Sequence, residues 1–171
     1  EEGRQEHSTY SRTLGDGTVL TTEVVHLPGA DLTQFSEGSD RYTLLGAKWE
    51  SSASTMSYDP LGEPFDAEDT IIAGLEAGNG HSKFEYTYGG KTPGASSICR
   101  VGDPVDGRNV FGWGEQPNNI LGLSCSTSRD GLFLESDILF DPDWAWSPIN
   151  QPTPNIDLFT VAGHEFGHSL G

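Results

Sequence analysis

The sequence predicts an α+β domain: a twisted, mixed five-stranded sheet with two helices against it, preceded by an N-terminal arm. Three observations carry this. Two stretches, 64–78 and the C-terminal run from about 155 to 170, have helical periodicity. Short runs between them alternate as strands do. The resulting order of strand, helix, three or four strands, helix fits one sheet with its helices on a face.

The arm covers 1–43 and is polar, rich in Gly, Ser and Thr. One run within it, "GTVLTTEVVHL" at 17–27, reads as a strand. Val19, Thr21, Glu23 and Val25 fall on one face, and Leu20, Thr22, Val24 and His26 on the other. "PGAD" at 28–31 ends it as a turn. The reading treats 1–43 as an arm or pro-segment remnant outside the main core, with 17–27 free to pair with a sheet edge of its own or a neighbouring chain. It holds no cysteine.

The domain proper is read as 44–171. "LLGAKWESSASTMSYD" holds the first strand, stopped by Pro60 and Gly62. "PFDAEDTIIAGLEAG" is the first helix, with Asp66 as N-cap, Glu68 and Asp69 at its positive end, and Gly78 and Gly80 as its stop. "KFEYTYGG", with Phe84, Tyr86 and Tyr88 on one face, is a strand, followed by "NVFGWG", "NILGLSCST" and "GLFLESDILFD". Four prolines make 142–155 a loop. The last helix starts at Asn155 or Asp157 and reaches about Leu170.

Composition narrows the function. The net charge is −17, with nine Lys plus Arg, and this field repels nucleic acid and anionic membranes. No run of 18 apolar residues spans a bilayer. The acidic, loop-rich composition suits an extracellular, secreted protein. On that ground Cys99 and Cys125 are read as a disulfide, two buried free thiols being the alternative. Asp137, Asp141 and Asp143 cluster before the last helix as candidate calcium ligands, with a solvated acidic strand end as the alternative.

The chemistry concentrates in "VAGHEFGHSLG" at 161–171. His164 and His168 are four residues apart, so both imidazoles leave one face of the helix and can hold one zinc ion. Glu165 lies beside that face, placed to take a proton from a water that zinc has acidified. A shuffled chain of this composition gives the H-E-x-x-H pattern only about 0.01 times. Gly163 and Gly167 weaken the helix and signal close packing. His7, His26 and His81 are read as solvated surface histidines, with a place as further ligands the alternative.

"DLFTVAGHEFGHSLG" resembles the active-site helix of the matrixins, within the metzincin zinc endopeptidases. His164, Glu165, His168 and Gly171 match the motif H-E-x-x-H-x-x-G-x-x-H in place. The resemblance covers about 45–171 and implies the upper subdomain of a matrixin catalytic domain. By it, His164 and His168 bind zinc, Glu165 is the catalytic base, and "ILGLSCST" is the sheet's edge strand. Leu121, Gly122, Leu123 and Ser124 on that strand would dock an extended protein or peptide substrate. The family's third histidine would fall three residues past Gly171, and its Met-turn and lower subdomain have no match, since the one methionine is Met56. The reading therefore expects weak zinc binding and little or no proteolysis from these 171 residues alone. The alternative is a catalytically silent extracellular binding or self-assembling subunit, with 17–27 as the donated strand.

Overall fold

The computed structural model describes residues 6–28, 46–81, 83–94, 99, 105–117, 119–148 and 155–170. Residues 1–5, 29–45, 82, 95–98, 100–104, 118, 149–154 and Gly171 lie outside the described residues.

The mixed sheet and two helices are present. Strand β3 (Ala53–Tyr58) leads into helix α1 (Glu68–Glu76), then β4 (Glu85–Lys91), β5 (Val110–Trp113), β6 (Ile120–Arg129) and β7 (Leu132–Phe140). Strands β4, β3, β5 and β7 lie side by side and run parallel, and β6 adds antiparallel to β7. Helix α2 (Leu158–His168) closes the chain order.

The strand count is where the sequence reading needs correction. Two further strands, β1 (Glu6–Thr13) and β2 (Val19–His26), form an antiparallel hairpin that continues the same sheet, giving seven strands in the order β1-β2-β6-β7-β5-β3-β4. The turn between them uses Gly17 at φ 84° and an Asp16 carboxylate that accepts from the Thr18 amide. β1 escapes sequence reading because "EHSTYSRT" has no alternating apolar residues; several of its cross-strand pairs are polar, as where Ser11 Oγ meets Thr21 Oγ1 at 3.1 Å. A separate two-stranded ladder joins β8 (Trp146–Ser147) to β9 (Ile156–Asp157) at the foot of α2.

β2 pairs along β6, with Val25 opposite Gly122, Val24 opposite Leu123 and Glu23 opposite Ser124. β6 is therefore not an edge strand in this chain. The two faces of β2 reach two different clusters. Val25 joins the main core under the helices, and Val24 packs on the opposite face with Val110, Ile120, Leu123 and Leu139. His26 is buried, not solvated. Its Nδ1 lies 3.1 Å from the Leu27 carbonyl and its Nε2 3.2 Å from Ser8 Oγ.

The main core lies between the sheet and the helices, with Phe111 of β5 at its centre. Its ring lies 5.1 Å from that of Tyr58 and 5.4 Å, edge-on, from that of Phe166 in α2. The helices meet at Gly74. A Cβ there would come within 2.8 Å of Ala162 Cβ and 3.0 Å of the Gly163 amide, so only glycine permits this approach. Gly163 sits at the same crossing, whereas Gly167 faces open space.

Helix ends depart in detail. Asp66 does not cap α1; Ala67 occupies that position, and its N–H donates to Glu63 Oε1 at 2.7 Å. Asp157 is the N-cap residue of α2, yet its side chain accepts from the Thr160 hydroxyl and caps no amide. Cys99 and Cys125 form a disulfide that ties the loop before β5 to β6. Closing a loop of this length stabilises the fold by about 3.5 kcal/mol in the chain-entropy account.

Candidate active site on the second helix

α2 is amphipathic in a way that sorts its motif. Leu158, Val161, Ala162 and Phe166 are buried against the core. His164 is exposed and His168 is partly covered. The four-residue spacing brings the two imidazoles together, with ring centroids 4.5 Å apart and Nε2 atoms 2.8 Å apart. Two nitrogen ligands of a tetrahedral zinc, each at about 2.05 Å, stand roughly 3.3 Å from one another. A change of a few tenths of an ångström in the ring positions separates the observed geometry from that one.

Glu165 reaches into the protein interior, where Gly122 of β6 and the Glu23 carboxylate of β2 are its neighbours. It is fully buried, and neither carboxylate oxygen has a hydrogen-bond partner. Burial pushes its carboxyl well above the usual range, and the neighbouring Glu23 carboxylate adds to the shift. Gly122 makes the space: a Cβ at that position would sit 2.9 Å from Glu165 Oε1. A buried acid without a partner is costly, and such groups mark places where function overrides stability.

The structure adds a residue that the motif does not contain. Glu23 of β2 is 6% exposed, and its Oε2 lies 3.0 Å from His168 Nδ1. Thr9 of β1 donates to its other oxygen at 3.4 Å. A signal existed in the sequence, because Glu23 is the one charged residue in the run 17–25. Its partner was not legible, since strand register across the whole chain decides it.

Other candidates are dispersed. Leu121, Leu123 and Ser124 line β6, but the backbone side on which a peptide would add is taken by β2. Asp137 accepts from the Val110 amide at 2.8 Å, inside the sheet. Asp141 and Asp143 stand together at an open cleft of 430 Å³ lined also by Gln116, Asn119 and Trp144, and Asp141 accepts from the Asp143 amide. Burial raises the Asp141 carboxyl above its ordinary value. Among the described residues no three His, Cys, Asp or Glu side chains gather as a metal-ligand set. Gly171 of the motif is not among those described, and His81 is exposed.

Comparison with known proteins matches this site. The matrixin peptidase family model matches residues 114–171, which run from the end of β5 through α2. Matrix metalloproteinase-27 of Tupaia belangeri is 29% identical over 166 residues, covering 95% of this chain. The chain spans 30% of that relative's length. From the mixed sheet to the helix that sets two histidines and a glutamate around one turn, the chain is matrixin-like.

Proposed function

We propose that this chain serves in a secreted zinc endopeptidase, with His164 and His168 as zinc ligands and Glu165 as the proton-handling base. The observation that carries it is the convergence of two imidazole Nε2 atoms at 2.8 Å on the helix that also holds an orphaned buried carboxylate. When bound, zinc supplies Lewis acidity beside the peptide carbonyl. Glu165 Oε1 and Oε2 then hold and pass the proton that hydrolysis moves from water to the leaving amine. Two histidines alone hold zinc weakly, so a further ligand completes the site.

In this proposal Leu121 to Ser124 present the backbone on which an extended peptide adds as a strand. β2 fills that place here, so a substrate must displace it. The strand-donation alternative gains no support, because β2 is paired on both sides, with β1 and with β6. The net charge of −17 and the disulfide favour the extracellular setting. No helix among the described residues is long and apolar enough to cross a membrane.

The test is hydrolysis of quenched-fluorescent peptides by zinc-loaded protein, intact and without residues 1–28. Slow, chelator-sensitive cleavage that is lost in Glu165→Ala is the expected result; at saturating zinc the form without the hairpin should be faster, because β6 is open, although it holds zinc less tightly. Zinc-loaded protein that cleaves nothing in either form limits these 171 residues to a partial site, and an extended chain that carries the third histidine and still cleaves nothing removes the endopeptidase reading.

A further inference from the structure

We propose that Glu23 is a positioning residue for the metal site, holding His168 in the ring orientation and tautomer that a metal requires. This rests on the reading of His164 and His168 as ligands. The argument starts from donors and acceptors. An ionised carboxylate can only accept, so the 3.0 Å contact between Glu23 Oε2 and His168 Nδ1 places a hydrogen on Nδ1. In the neutral ring, Nε2 is then the bare nitrogen, and Nε2 is the atom that faces His164 Nε2 at 2.8 Å. His164 completes the chain by donating its Nε2 hydrogen to His168. His168 Nε2 would thus already present a lone pair to a metal, whereas His164 would ligate through Nε2 only in its other tautomer, with its hydrogen moved to Nδ1.

The carboxylate is itself held. Glu23 is buried, Thr9 of β1 donates to Oε1, and Val24 and Val25 beside it are anchored in separate clusters on opposite faces of the sheet. A buried carboxylate behind a histidine ligand fixes the tautomer and raises the ligand's basicity, and losing such a partner costs about 10–100-fold in metal affinity. The hairpin that looked like a detachable arm thus becomes part of the metal site. A peptide that displaced β2 would also remove Glu23 from His168, which couples strand exchange at β6 to metal affinity.

The experiment uses the 171-residue chain with Glu23→Gln and Glu23→Ala, and reads two signals. The first is the ¹⁵N shift of the His168 ring in metal-free protein, which reports the tautomer. Wild type and Glu23→Gln should keep the hydrogen on Nδ1, because the glutamine carbonyl can also accept; Glu23→Ala should give a mixture. The second is zinc affinity by chelator competition, beside a His164→Ala control. Glu23→Ala should bind zinc about 10–100-fold more weakly than wild type, with Glu23→Gln between the two. An unchanged tautomer together with unchanged zinc affinity in Glu23→Ala overturns the proposal. If wild type binds zinc no better than His164→Ala, the metal reading itself fails, and the tautomer signal still decides whether Glu23 orients the ring.

Discussion

Glu165→Gln should abolish peptide hydrolysis and at the same time make the metal-free chain more stable at neutral pH. The wild-type carboxyl is fully buried, lacks a hydrogen-bond partner and lies near Glu23. Glutamine keeps a polar group there but cannot ionise, so the substitution removes the cost of holding a charge in this buried site. The pH dependence follows from the direction of the shift. Its folded-state pKa is raised above the ordinary carboxylate value of 4.5, so the folded chain binds the proton more tightly than the unfolded chain does. The penalty is therefore present above that value, levels off above the folded-state pKa, and vanishes as pH falls through the ordinary range. Urea titrations at pH 7 and near pH 4.5 check this. The variant should be more stable at pH 7, with the gap closing on acidification. A variant less stable than wild type at pH 7 contradicts the account.

Phe111→Ala should cost about 3–5 kcal/mol, the range for a large aromatic lost from a packed core. Phe111 is fully buried in β5 and touches Tyr58 within the sheet, Tyr88 at 6.2 Å in β4 and Phe166 in α2. The cavity would open where α2 rests on the sheet, so the helix bearing the histidines loses its main support. A natural control is Leu61→Ala. Leu61 is 70% exposed, and its truncation should change stability by no more than about 0.5 kcal/mol. Denaturant midpoints of the two variants give the comparison, and equal midpoints would place the core elsewhere.

The parts of the fold that were legible in the sequence are those written in short-range periodicity. α2 showed itself through Leu158, Val161, Ala162 and Phe166, and the histidine pair through a four-residue spacing that needs no tertiary information. β4 showed itself through the alternation of Phe84, just before it, with Tyr86 and Tyr88. The illegible parts depend on pairing across the chain. β1 carries polar side chains apart from Tyr10 and is a strand because β2 lies beside it. β2 was visible as a strand, but its place against β6 was not, and neither was the contact of Glu23 with His168 that follows from that register. Gly122 looked like a residue for binding a peptide backbone. The structure shows a second demand on it, since the Glu165 carboxyl occupies the space a side chain would need. Capping failed in a similar way. Asp66 has the right chemistry one residue too early, and Glu63 supplies the acceptor from the preceding turn.

The central claim is that His164 and His168 form one metal site, and zinc titration of the wild-type chain against His164→Ala and His168→Ala tests it most directly. The account predicts one weak zinc equivalent in wild type. Each histidine variant should lose more affinity than the about 10–100-fold assigned to removing a ligand's supporting carboxylate. Wild-type affinity in either histidine variant would contradict it.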